Sequence, residues 1–85
     1  MSWAVEWRPR AAKDLEKLAR TVAQRVIDAV EVFALVGQGD VKRLTDVSPP
    51  EYLLRVGQWR VRFTIEPSRR TMTILRVLPR DSAYS

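Results

Sequence analysis

The run Tyr52-Leu-Leu-Arg-Val-Gly-Gln-Trp-Arg-Val-Arg-Phe-Thr-Ile65 constrains this chain more than any other stretch. Apolar residues recur at every second position on both sides of Gly57-Gln58, the period of a strand with one buried face. A two-residue loop led by glycine suits a type II′ hairpin turn, whose first central residue takes a positive φ. With that loop fixed, cross-strand partners follow by counting outward. Val56 faces Trp59, Arg55 faces Arg60, Leu54 faces Val61, Leu53 faces Arg62 and Tyr52 faces Phe63. Tyr52, Leu54, Val56, Trp59, Val61 and Phe63 then share the core face, and Leu53, Arg55, Arg60 and Arg62 share the other.

That second face sets Arg55 directly opposite Arg60. Like charges in such a pair destabilise a sheet by up to about 1 kcal/mol. A sequence shaped only for stability would place threonine or an opposite charge there, so Arg55→Thr is expected to relieve the pair. Two readings follow. The arginines form a face that holds an anion such as phosphate, or they splay into water, where screening makes their repulsion cheap.

The flanking sequence supplies the rest of a small α+β domain. Ser2–Glu6 alternates around Trp3, Val5 and Trp7 and reads as a first strand. Pro9 suits the first turn of a helix, in which Ala11, Leu15 and Leu18 share a face. Thr21, with Gln24 three residues on, has the form of a capping box for a second helix reaching about Leu35. Gly37 and Gly39 end it. Its apolar surface is wide: Val22, Val26, Ala29 and Phe33 form one stripe, and Ala23, Ile27, Val30 and Ala34 a second. Such a helix is either deeply buried or receives a partner's helix on part of its face. Asp40–Pro50 reads as a polar connector, and strands follow at Tyr52–Val56, Trp59–Ile65 and Thr71–Leu78. The order β-α-α-β-β-β predicts a two-helix hairpin on an antiparallel sheet of about four strands.

Composition narrows the function classes. Eighty-five residues make one domain, 1–85, burying roughly 60–65% of the unfolded surface. Without cysteine there is no disulfide framework and no thiolate metal site, consistent with a cytoplasmic protein. No apolar run approaches the roughly 18–20 residues of a membrane span, and Met1–Arg10 lacks a signal-peptide layout. The net charge of +5 lies wholly in residues 42–85, where nine Lys/Arg outnumber four acids; residues 1–41 carry six of each. Eight of those nine are arginine, suited to bidentate phosphate contacts. The C-terminal half is therefore expected to meet a polyanion or an acidic partner.

YLLRVGQWRVRFTI, then TMTILRVLPRDSAY, with GDVKRL upstream, resembles the RelE/ParE superfamily of bacterial type II toxins over essentially the whole chain. The resemblance implies a microbial-ribonuclease-like fold. RelE-type members are endoribonucleases that cut mRNA, commonly in the ribosomal A site, with no metal or cofactor, and an antitoxin encoded beside them neutralises them. ParE-type members share the fold and poison DNA gyrase. On this basis Arg55, Arg60, Arg80 and Tyr84 match the catalytic set: Arg55 at the phosphate, Arg60 on the transition-state charge, Arg80 at the phosphate or leaving group, Tyr84 relaying a proton or stacking on a base. Lys42, Arg43, Arg62 and Arg76 would bind and steer RNA. The expected partners are an acidic antitoxin and mRNA in the ribosomal A site, with DNA gyrase or a non-catalytic RNA-binding role as alternatives. Leu53 and Pro79 stand where some members carry basic residues or histidine, and an arginine is a poor proton carrier. The set binds phosphate more readily than it moves protons.

Overall fold

A computed structural model describes residues 2–46 and 48–83. Five strands form one sheet: β1 (Ala4–Trp7), β2 (Asp40–Arg43), β3 (Tyr52–Val56), β4 (Trp59–Glu66) and β5 (Thr71–Pro79), in the spatial order β1-β5-β4-β3-β2. Two helices, α1 (Pro9–Glu16) and α2 (Arg20–Val36), pack on one face. The α+β class and the helical pair agree with the sequence reading.

The hairpin forms in the register counted from its turn. Gly57 has φ 58, and Arg55 pairs with Arg60 between the Leu54–Val61 and Val56–Trp59 pairs. Leu54, Val56, Val61 and Phe63 enter the core, with Tyr52 and Trp59 packed at its margin. Phe33 and Tyr52 each place a ring centroid 5.5 Å from that of Phe63, tying α2 to the hairpin.

Two features correct the expected sheet. The first is β2, which occupies part of the segment read as a connector: Asp40 pairs with Arg55 and Lys42 with Leu53. Four residues with one apolar side chain, Val41, carry too little alternation to announce a strand, and the free edge of β3 supplies the pairing. The second is β1, which runs parallel to β5, Val5 beside Met72, so the sheet is mixed. The helices carry the chain from this edge across the sheet to β2 at the far edge, which leaves β5 as the neighbour of β1.

Pro9 opens α1 as expected, and Gly37, at φ 76, closes α2 by donating its N–H to the Phe33 carbonyl at 2.8 Å. The capping box does not form. The helix starts at Arg20 after an uncapped Ala19, so Thr21 lies inside it, and Gln24 Nε2 donates to Asp28 Oδ1 at 2.9 Å. Both apolar stripes of α2 face the protein: Val26, Val30 and Ala34 are buried and the other five are half-buried. The apolar residues that α2 exposes are instead Val32, Leu35 and Val36, near its C-terminus.

Strand β5 carries a bulge. Arg62 pairs with Arg76 while Phe63 pairs with Ile74, which leaves Leu75 as the extra residue. Strict alternation would put Ile74 and Val77 on opposite faces. The bulge sends both into the core, where they are at most 2% exposed.

Candidate functional site

The face of the sheet away from the helices carries the arginines of the hairpin, each held differently. Arg55 is exposed and lies 3.7 Å from Asp40 of β2, its neighbour on the side away from Arg60. Arg60 is only 9% exposed. Its Nη1 donates to the carbonyl oxygens of Gly57 and Trp59, both at 2.9 Å, folding the guanidinium back over the turn. The like-charge pair is thus settled by divergence: Arg60 turns inward to backbone acceptors, while Arg55 stays in solvent beside Asp40. The buried Nε of Arg60 has no hydrogen-bond partner among the described residues.

Arg80 follows β5 in a single 3-10 turn, Arg80–Ser82, and its backbone N–H donates to the Gln58 carbonyl at 2.8 Å. This bond joins the end of β5 to the hairpin turn. Trp59, Pro79 and Arg80 line a cavity of about 230 Å³ there. The backbone of Arg80 therefore lies at the same end of the sheet as Arg55 and Arg60. Tyr84 lies outside the described residues. Leu53, which the register places on this face, is fully buried and, like Ala83, stands outside the main core cluster, so this part of the face is covered.

The residues expected to steer RNA divide. Lys42 lies on the open face beside Leu53, whereas Arg43, which pairs with Tyr52, alternates to the helical side. Arg62 Nη2 donates to both carboxylate oxygens of Glu51, at 3.2 and 3.0 Å. Arg76 is drawn to α1, donating from Nε and Nη2 to Asp14 at 2.8 and 3.2 Å. Asp14 also accepts the Val77 N–H at 2.9 Å. Burial alone would raise the Asp14 pKa. The bonds from Arg76 and Val77, with the charges of Arg76 and Lys17, outweigh it and hold the carboxyl below its ordinary range. The bond to Asp14 in turn raises the pKa of Arg76.

Sequence reasoning missed Asp14 and Glu51 as the groups that position these arginines, and Arg8 and Arg10 as additions to the basic face. For Asp14 the available signal was an acid within the apolar spacing of the first helix, at a position where the helix meets the sheet. Arg8 and Arg10 gave none, because residues 1–41 balance to zero charge. The fold brings both arginines beside Arg62 and Arg76 around a cavity of about 430 Å³.

Residues 5–84 match the sequence model of a family described as the ParE toxin of the type II toxin–antitoxin system parDE. Solved structures agree in fold. The chain superposes on the archaeal RelE–RelB complex of Pyrococcus horikoshii with a TM-score of 0.79 and 22% identity, covering 98% of this chain and 100% of that one. The RelBE2 complex of Mycobacterium tuberculosis gives 0.77 and 23%, with 94% and 93% covered. A mutant of Escherichia coli RelE in the free state gives 0.65 and 15%, with 99% and 90% covered. Against curated proteins the sequence has no match.

Proposed function

The chain belongs to the ParE toxin family of type II toxin–antitoxin systems, and on that premise we propose that it is a cytoplasmic toxin of RelE type, acting on mRNA in the ribosomal A site as a metal-independent endoribonuclease. One observation carries this reading: the Arg55–Arg60 register and the backbone bond from Arg80 to Gln58 bring these three residues to the hairpin end of the sheet. Three guanidiniums there can neutralise a phosphodiester and the charge that builds on it as the 2′-hydroxyl attacks. Arg60, fixed by its bonds to Gly57 and Trp59, is the best oriented of the three. A cognate antitoxin follows from the family, and the basic half with the exposed Val32, Leu35 and Val36 suits an acidic partner carrying an apolar segment.

Primer-extension mapping of mRNA ends after brief induction tests the reading. New 5′ ends within translated codons are expected, and intact transcripts alongside growth arrest would overturn it. A second reading, a ParE-like inhibitor of DNA gyrase, is favoured by the family match and by one structural feature: among the described residues of the open face, arginines are engaged by Asp40, Glu51 and Asp14, and no histidine is present to move a proton. DNA-damage signalling and co-purification of gyrase after induction would select that reading.

A further inference from the structure

We infer that a groove at the far end of the open face, walled by Arg8, Arg10, Arg62 and Arg76 over Leu75, is a second nucleotide-binding subsite that extends the RNA path away from the hairpin end. The inference rests on the RNA reading above and goes beyond it in assigning Arg8 and Arg10. The groove is built from two adjoining cavities of about 430 and 410 Å³, which share Arg8, Glu51 and Leu75. Thr64 and Thr73 line the second.

Its arginines are arranged to present donors. Arg62 spends Nη2 on Glu51, and Arg76 spends Nε and Nη2 on Asp14. Carboxylates thus fix both forks, while Nη1 of each has no partner among the described residues. A guanidinium has five N–H donors, so each keeps donors for a ligand, and its rotamer entropy is already largely spent. Arg8 and Arg10 are exposed, with no side-chain partner among the described residues. Counting Asp14 behind the wall, four positive charges meet two negative ones, so the groove attracts an anion.

A nucleotide fits these walls better than an acidic peptide. It carries its charge on the phosphate, for Arg8 and Arg10, and offers uncharged edges elsewhere. Glu51 would repel peptide carboxylates but can accept from a base amino group, and Thr64 and Thr73 can do the same. Leu75 gives the base an apolar floor. Arg62 is two residues from Arg60 on the same face of β4, so one strand spans both subsites.

The experiment measures binding of a fluorescein-labelled 2′-O-methyl RNA hexanucleotide, which lacks the attacking hydroxyl, by anisotropy at several salt concentrations. The Arg8→Ala/Arg10→Ala variant is expected to weaken binding about tenfold at low salt. Its slope of log affinity against log salt should fall by about 0.7 for each lost phosphate contact. Arg20→Ala/Arg25→Ala, an equal charge change on α2, should leave both quantities near wild type. If the two variants behave alike while Arg55→Ala/Arg80→Ala weakens binding, the groove assignment is overturned and the RNA reading stands. If Arg8→Ala/Arg10→Ala spares RNA but weakens the antitoxin complex, the groove belongs to the antitoxin and the assignment is likewise overturned. If the wild-type protein binds no RNA, the subsite is overturned, while the RNA reading is decided by the primer-extension mapping above. Circular dichroism of each variant confirms folding, which the exposed Arg8 and Arg10 side chains should not disturb.

Discussion

The two ends of the open face solve the same problem, crowded arginines, with different acceptors. At the hairpin end Arg60 is held by backbone carbonyls and Arg55 by an exposed aspartate. At the groove end Arg62 and Arg76 are held by carboxylates that are themselves 13% and 10% exposed. Carbonyl acceptors carry no charge, so the charge of Arg60 is not cancelled by its own partners, although Asp40 offsets that of Arg55. Carboxylate acceptors cancel part of the charge but fix geometry firmly and join the sheet to α1. The first arrangement suits a site where charge develops on a phosphate, the second a site that orients a ligand.

The largest test of this contrast is Asp14→Ala. It strips Arg76 of its acceptor and leaves the Val77 N–H without one. Breaking a buried pair costs roughly 3–5 kcal/mol, and because Arg76 is about a quarter exposed we expect about 2–4 kcal/mol in urea unfolding. An unchanged midpoint would show that α1 is held to β5 by packing alone.

Acid probes the same contact without mutation, with an effect bounded by that loss. The folded pKa of Asp14 lies below its unfolded value of roughly 3.9, so the folded state binds this proton less readily than the unfolded chain does. The stabilisation is therefore full above about pH 4 and is lost as pH falls through the folded pKa. Thermal melts across that window should flatten in Asp14→Asn relative to wild type.

Arg60→Ala comes next. A substitution on an open arginine face would spare the fold, but a buried side chain donating to Gly57 and Trp59 does not permit that. A loss of about 1–2 kcal/mol is expected from chemical denaturation, so toxicity must be compared at equal folded protein. Arg55→Thr should be smallest, within about 0.5 kcal/mol. The relief of repulsion expected from the hairpin alone is offset by losing Asp40, and that pair is too exposed to be worth much. A gain above 1 kcal/mol in thermal stability would show that Asp40 does not compensate Arg55.

The contrast also separates what was legible in the sequence from what was not. The Arg55–Arg60 pair was legible because a two-residue turn fixes register and a period of two fixes faces, both local rules. The burial of α2 followed from its two apolar stripes. The partners of the arginines were not legible. Asp14 meets Arg76 across 62 residues, and Glu51 reaches Arg62 from outside the hairpin register. Local rules also failed for Thr21 and Gln24, where the helix began two residues early.

By itself, then, the sequence determined the hairpin, the helical pair and the face on which the arginines stand, since each depends on periodicity and turn chemistry within a few residues. Tertiary structure alone decided that β1 runs parallel to β5, that a bulge at Leu75 resets the faces, and that Asp40, Glu51 and Asp14 take up three of the arginines. Those outcomes depend on which free edge or buried charge a distant segment must satisfy. An unpaired strand edge or an isolated buried carboxylate costs enough to be resolved by whatever the completed fold brings near.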